Sequence, residues 1–382
     1  MALVGGGGAA LCLLHQLALR GPAGLSVVVV DPVDRLAERP QDRTWCFWVE
    51  GASDVDAALT TAWSSVVVRS PRARLDLDLR PMRYAMLRSG DYAAEVANAC
   101  AAARVSVRWV TAPATGVRDG EGRARVTTAA GAVEARWVFD SRPAPPVRPA
   151  RTALLQHFRG AFVHAPSAPF DPDRAVLMDF RTPQPARGLS FGYCLPVSAT
   201  RALVEYTEFS PAVLDDAGYT AALAAYLRSA VGVPHQVEHV EQGVIPMTDA
   251  VHERRTGRRT FRLGTAAGAT RPSTGYTFTA MQRQARAVAE ALRDGRDPVP
   301  PAAYPARHAL ADAALLRALD SGAVDGPDFF LRLFSRNPVE RVLHFLDGVT
   351  TPAQELRLLA SAPRVPMTRS ALWVARHRPS RA

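Results

Sequence analysis

The sequence predicts an α/β fold in three zones: a nucleotide-binding βαβ unit, a strand-rich antiparallel middle and a helical C-terminal region. Three observations carry this. The chain opens on Val4-Gly5-Gly6-Gly7-Gly8-Ala9-Ala10, followed by the strand Val27-Val28-Val29-Val30-Asp31. Short alternating apolar runs, separated by turn residues, fill residues 151–255. Beyond residue 300, apolar residues recur at helical spacing.

The opening turn has the pattern Gly-x-Gly-x-x-Ala, the signature of a Rossmann-type unit. Gly5 makes the tight turn. Gly7 lets backbone approach a pyrophosphate, because a side chain there would block it. Ala10 lets helix and strand pack closely, and the helix N-terminus offers free N–H groups to the anion. Asp31 lies 21 residues past Ala10, where a carboxylate accepts hydrogen bonds from ribose hydroxyls. The periodic helix Leu11–Leu19 completes the unit. Met1–Val4 is short for its first strand, which leaves open an upstream start or a frayed strand.

Further along, Tyr92–Ala97 reads as part of an amphipathic helix. Val105–Val110, Arg125–Thr128 and Trp137–Asp140 read as strands. Residues 143–150 carry four prolines and read as a linker. Strands are expected at Leu154–Val163, Ala175–Arg181, Gly188–Leu195 and Arg201–Phe209, forming a substrate-side wall, with a helix from about Tyr219 to Ala230. Glycine chemistry returns at Gly264-Thr265-Ala266-Ala267-Gly268 and Arg271-Pro272-Ser273-Thr274-Gly275-Tyr276. Small residues before a helix allow close approach of a phosphate or ring, with Ser273, Thr274 and Gly275 at the helix start. A long helix then runs through Leu292. Asn337-Pro338 is expected to cap a helix that Gly348 stops, and Thr351-Pro352-Ala353-Gln354 to open the next. These readings divide the chain into a nucleotide domain (1–145 and 256–300), a substrate domain (150–255) and a C-terminal region (301–382).

The 382 residues carry a net charge of +10, and all 46 basic residues are arginine. That usage points to coding bias more than to a functional patch. The basic surface still favours anionic lipid headgroups. No recognition helix, zinc finger or RNA-binding motif accompanies it, so nucleic acid is not expected. No run of about 18 apolar residues suggests a spanning helix, and an N-terminus that is already a core strand argues against a signal peptide. Four scattered cysteines fit a reducing cytoplasm, with Cys12 and Cys100 as helix filler, and no metal site is expected.

Two motif matches are set aside. Gly188-Leu189-Ser190-Phe191-Gly192 fits a serine-hydrolase elbow, but strand-like residues continue past it. His235–His239 fits a His-x-x-Glu-His zinc motif without a third ligand, and reads as a polar surface turn.

A set of ordered motifs resembles the bacterial FAD-dependent lycopene cyclases. They are the glycine turn, Asp42-Arg43-Thr44-Trp45-Cys46-Phe47-Trp48, Val138–Pro143, Gln156-His157-Phe158-Arg159-Gly160, Phe170–Asp173 with Leu177–Arg181, Leu203-Val204-Glu205-Tyr206-Thr207-Glu208, Gly243–Met247 and Arg271–Tyr276. The resemblance implies a p-hydroxybenzoate hydroxylase-like flavoprotein fold and a peripheral membrane, cytoplasmic lycopene β-cyclase. It implies reduced FAD as cofactor, NAD(P)H as electron source, and conversion of lycopene to γ- or β-carotene without net redox change. It implies that Glu205 is needed for catalysis. It also places Thr265 where many hydroxylases carry Asp.

The residues make that chemistry reasonable. Cyclising a polyene end requires protonation of a carbon–carbon double bond by a pre-placed, poorly solvated acid. A carboxyl in an apolar cavity has the raised proton affinity needed. Strand alternation puts Leu203, Glu205, Thr207 and Phe209 on one face, and Val204, Tyr206 and Glu208 on the other. So Glu205 and Glu208 point opposite ways. Trp45, Phe47, Trp48, Phe191 and Tyr193 are candidates for an aromatic wall facing the carbocation, or else ordinary core. The apolar helices of 325–350 read equally as core or as a membrane face, and the basic tail Trp373–Arg381 as lipid-adjacent or frayed. Two rivals remain: a redox flavoenzyme of the same fold, such as a hydroxylase or isoprenoid reductase, and a non-catalytic carotenoid- or flavin-binding protein.

Overall fold

The structure is a computed structural model describing residues 1–38 and 43–377. In chain order it contains β1 (Ala2–Val4), α1 (Gly8–Arg20), β2 (Ser26–Asp31), β3 (Thr44–Glu50), β4 (Leu59–Trp63), β5 (Ser65–Arg69), β6 (Arg74–Asp78), β7 (Met82–Arg88), α2 (Ser89–Ala102) and β8 (Ser106–Thr111). The strands β9 (Ala114–Arg118), β10 (Ala124–Thr128), β11 (Gly131–Ala135), β12 (Val138–Asp140), β13 (Ala153–His164), β14 (Arg174–Asp179), β15 (Leu189–Pro196) and β16 (Arg201–Ser210) follow. Then come α3 (Asp216–Ala230), β17 (Gln236–Thr248), β18 (Thr260–Arg262), α4 (Phe278–Arg293), α5 (His308–Asp320), α6 (Gly326–Arg336), α7 (Val339–Asp347), α8 (Pro352–Leu359) and α9 (Arg364–Arg376).

Among the described residues, the nucleotide-type sheet is parallel and five-stranded, in the order β18-β12-β1-β2-β8. β1 is central, with Leu3 beside Phe139 on one side and Val29 on the other. Apolar residues sit on both faces because both are covered. Leu11, Leu14 and Leu17 of α1, with Ala285 and Val288 of α4, bury one face. The meander β9–β10–β11 covers the other through Val126 and Val133. Asp140 ties the edge together by accepting from Arg142 (2.9 Å) and Arg262 (2.8 Å), which gives the Val138–Pro143 motif a structural role.

The larger sheet has the order β17-β13-β16-β15-β14-β5-β6 and is antiparallel except where β14 meets β5. β5 and β6 come from the N-terminal third of the sequence, so residues 1–145 contribute to both sheets. α3 packs under one face, burying Leu223, Tyr226 and Leu227 against Val163 and Val204. A second three-stranded sheet, β3-β7-β4, lines the same cavity as the two larger sheets through Trp45, Cys46 and Tyr84.

The C-terminal helices resolve one open reading. Phe329, Phe330, Leu333, Phe334, Val342, Leu343 and Leu346 are buried in the main core, with Phe330 stacked on Phe180 at 6.1 Å. These apolar side chains of residues 325–350 are therefore core. No described helix is long and apolar enough to cross a membrane.

Two local expectations need correction. Asn337 does not cap the helix after it; it ends α6, its Nδ2 donating to the Leu333 carbonyl (2.9 Å) and to Ser361 (2.8 Å). Burial of that amide behind α6 outweighs its capping propensity. His235–His239 is not a turn: from Gln236 it is the start of β17, whose alternation is hidden because an edge strand with exposed Val237 and Val240 reads as mixed polarity. Gly348 (φ +75°) and the Thr351–Gln354 capping box stand where expected. Asp42 and the tail beyond His377 lie outside the described residues.

Candidate functional site

The glycine turn sits at the C-terminal end of β1, where an open parallel sheet presents its binding crevice. Gly5 has φ +90°, and a Cβ there would meet Ser141 Oγ at 2.5 Å. Gly7 is the N-cap of α1, and a Cβ placed on it would have nothing within 4 Å. The backbone at Gly7 therefore faces open space at a helix N-terminus. Ala10 is buried on α1. Asp31 ends β2; its Oδ2 accepts from Gly6 N–H (2.7 Å) and its Oδ1 from Val33 N–H (3.0 Å). Each oxygen keeps capacity for a further donor.

Gly7, Gly8 and Ala9 open a cavity of about 880 Å³ that continues past Thr265 and Ala266 to the large sheet. Gly264 (φ +66°) lets the second glycine segment press against α1, since a Cβ on it would lie 2.6 Å from Ala9 Cβ. The 271–276 turn is closed by Arg271 N–H donating to the Tyr276 carbonyl (2.9 Å). Ser273 turns away from the cavity, its hydroxyl donating to buried Asp312 (2.6 Å), which also pairs with Arg271 (3.2 Å). Thr274 Oγ1 stays within the turn, 3.4 Å from Tyr276 N. Gly275, Tyr276 and Thr277 form the wall, and the helix itself begins only at Phe278.

On the large-sheet wall of the cavity, one row of residues crosses the sheet in register. Glu241 on β17 and Glu205 on β16 both pair with Gly160 on β13, and Glu205 also pairs with Tyr193 on β15. Directly paired residues share a face, and Glu205, Glu241 and Tyr193 all line the cavity. Glu205 is 8% exposed and Glu241 6%. Thr207 donates to Glu205 Oε1 (2.6 Å), and Thr44 to Glu241 Oε2 (2.9 Å). Burial raises the Glu205 pKa to about 8, with repulsion from Glu241 adding to it and the Thr207 hydrogen bond opposing it.

Glu208 lies on the opposite face, as alternation requires. It accepts from Tyr206 (2.8 Å) and stands 3.7 Å from His157, beneath α3. His157 is held by Ser210 and Tyr219, and burial lowers its pKa.

Of the aromatic candidates, Trp45 and Tyr193 line the cavity, whereas Phe47, Trp48 and Phe191 are buried core. Tyr84, Phe158, Tyr276 and Phe278 complete the aromatic lining. Their places depend on β3, β7 and β13 meeting at one site, which local sequence does not reveal. Glu241 escapes sequence reading for the same reason: only strand register brings it beside Glu205. Gln156 also lines the wall, and its Oε1 is a buried acceptor without a partner among the described residues.

Against known proteins, the family described as "Lycopene cyclase protein" matches residues 1–372. A lycopene beta-cyclase from Paracoccus sp. (strain N81106 / MBIC 01143) is 30% identical over 254 residues, 62% of this chain. That match spans 63% of the relative's length. A geranylgeranyl bacteriochlorophyll reductase-like protein from Thermoplasma acidophilum has a similar structure (TM-score 0.64, 14% identity, 97% of this chain and 98% of the other). So does a flavoprotein/dehydrogenase from Cytophaga hutchinsonii (TM-score 0.60, 12% identity, 97% and 98%). These likenesses show that the chain shares the fold of those two proteins.

Proposed function

This chain belongs to the lycopene cyclase family, and we propose that it is an FAD-dependent lycopene β-cyclase in which Glu205 is the acid. The observation that carries this reading is a buried carboxyl of raised proton affinity, Glu205, set in an apolar cavity continuous with a dinucleotide-type glycine turn.

FAD is supported by the fit of the chain to it. The open space at Gly7 suits a pyrophosphate, Asp31 keeps acceptor capacity for ribose hydroxyls, and Gln156 offers an unpartnered acceptor at the wall. Gly5, Ala10 and Gly264 permit the close packing that forms this cradle, and Gly275 lines it. Ser273 and Thr274 support it indirectly, by holding the turn. When bound in reduced form, with NAD(P)H as the electron source, FAD would supply electron-rich character that favours a carbocation.

The chain's own residues then account for the proton chemistry. Thr207 occupies Glu205 Oε1 and leaves Oε2 to carry the acidic proton. That proton passes to the terminal double bond of lycopene, and the adjacent double bond closes the ring. A ring proton leaves to a carboxylate, so mass and oxidation state are unchanged. Trp45, Tyr84, Tyr193 and Tyr276 present π faces to the cation. Leu195, Leu203 and Ile245 help keep out the water that would capture it.

Lycopene is insoluble in water, so the cavity must open to lipid. Val244 both lines the cavity and is half exposed. Val147 and Val251, joined by a backbone hydrogen bond (2.8 Å) beside the lining residues Pro146 and Ala250, extend this apolar rim. We place the peripheral membrane contact there. Charged replacements, Val147→Asp with Val244→Asp, should weaken sedimentation with anionic vesicles while leaving the protein folded; unchanged sedimentation contradicts this placement.

The direct test of the function is Glu205→Gln in a lycopene-producing host. Loss of cyclic carotene with flavin still bound supports the reading. Unaltered carotene profiles favour the non-catalytic binding protein.

A further inference from the structure

We propose that Glu205 and Glu241 form a carboxyl pair holding one proton between them across Gly160, with Glu241 as the positioning residue that keeps Glu205 in its acid form. The inference rests on the reading of Glu205 as the acid. It deepens that reading by naming what poises the acid.

The geometry is that of three adjacent strands. Glu241 and Glu205 flank Gly160 in register, one on each neighbouring strand, with both side chains on the cavity face. Cross-strand spacing is about 4.8 Å, so the two Cα atoms are about 10 Å apart. Glutamate side chains can lean from both sides over the strand between them. Position 160 has no side chain to stand in the way: a Cβ there would lie 3.3 Å from Glu205 Cβ and 2.9 Å from Leu203 Cδ1.

Each carboxyl is held by its own hydroxyl donor, Thr207 for Glu205 and Thr44 for Glu241. The other groups facing Glu205 are Tyr193 of β15, Cys46 of β3, Tyr84 of β7 and Tyr276 of the 271–276 turn. Burial pushes the thiol and the phenols up, so they stay neutral. Among these facing groups Glu241 is the other carboxyl. Two like charges in one apolar cavity cannot both ionise readily, so the pair titrates as a unit and retains a proton at neutral pH. Removing the Glu241 charge removes the repulsion and makes Glu205 easier to ionise.

The test is infrared titration of the full chain reconstituted with FAD, following the protonated-carboxyl C=O band, alongside the pH profile of cyclisation. Wild type should show a band that Glu205→Gln abolishes. In Glu241→Gln the midpoint for loss of that band should fall by about one pH unit or more, a tenfold weaker proton affinity. Glu241→Asp should retain most of the wild-type midpoint. Thr44→Val keeps both carboxyls but removes a donor that favours the Glu241 carboxylate, so the pair holds its proton more tightly and the midpoint for loss of the band rises. The alkaline limb of cyclisation should move with the band. An unshifted midpoint in both Glu241→Gln and Thr44→Val, or a wild type without the band at neutral pH, overturns the pair. Because the band is read without turnover, a shifted midpoint in a chain that cyclises nothing sinks the proposed function while leaving the pair intact.

Discussion

Glu205 faces Gly160 directly across β16 and β13, and a Cβ at position 160 would come within 3.3 Å of the Glu205 Cβ. The carboxyl thus stands over bare backbone, which gives it a fixed place in the cavity. The Gln156–Gly160 motif and the Leu203–Glu208 motif are, in this structure, two sides of one feature.

Gly160→Val should displace Glu205 and Leu203. Overpacking of this kind costs about 1–3 kcal/mol, and general acid catalysis is worth about 10²–10⁴-fold. We expect a folded protein of lowered melting temperature that binds flavin normally and has lost most of its cyclisation. Thermal melting, flavin titration and product analysis on one preparation check this. Normal activity would mean that the carboxyl does not depend on this packing.

Activity should fall as pH rises through about 8, where Glu205 loses its proton. The same group makes stability pH-dependent. Its folded pKa is raised above the unfolded value of about 4.3, so its contribution is fully present below that value and is lost as pH rises through about 8. Glu205→Gln escapes the loss. Denaturant unfolding should find the variant about as stable as wild type at acid pH and more stable by a few kcal/mol at pH values above that range.

Gly7 tests the cofactor cradle separately from folding. Its φ of −74° is open to any residue, and its Cβ would touch nothing. Gly7→Ala should therefore leave the melting temperature of the apoprotein unchanged. It should weaken FAD binding by about tenfold or more, because the methyl group occupies the space where backbone must approach the pyrophosphate. Fluorescence titration with FAD reads this, and unweakened binding would place the pyrophosphate elsewhere.

The parallel sheet was legible in the sequence because its signals are local. The glycine turn, the four-valine strand and the helix after them each report on themselves. The long strands β13, β15 and β16 were legible for the same reason, and their alternation correctly separated Glu205 from Glu208. What was not legible depends on register and on long-range pairing. β5 joins β14, over 100 residues away, and Glu241 meets Glu205 only through Gly160 on the strand between them. The helices of 325–350 show the limit of amphipathicity as evidence: an apolar face against protein and one against lipid have the same periodicity.

Ser273 and Asp312 supply a stability test within the second glycine segment. Arg271 is fully buried, paired with Asp312 at 3.2 Å, and its guanidinium lies 4.6 Å from the Phe345 ring centroid. Removing one partner of a buried ion pair leaves an uncompensated charge, at a cost of about 3–5 kcal/mol. Asp312→Ala should lose about that much in denaturant unfolding. It should also weaken flavin binding, because the 271–276 turn that places Gly275 and Tyr276 loses its anchor. Ser273→Ala, which removes only a hydroxyl, should cost much less, about 1 kcal/mol.

Ring closure by this chain without a change of oxidation state is tested most directly by anaerobic incubation of the purified chain with lycopene in lipid vesicles, FAD and NADPH, followed by chromatography and mass spectrometry. We predict a product of unchanged mass whose absorption lies at shorter wavelength than that of lycopene, because the ring double bond twists out of the polyene plane. A product altered by hydrogens or oxygen would contradict the account and identify a redox flavoenzyme on the same fold.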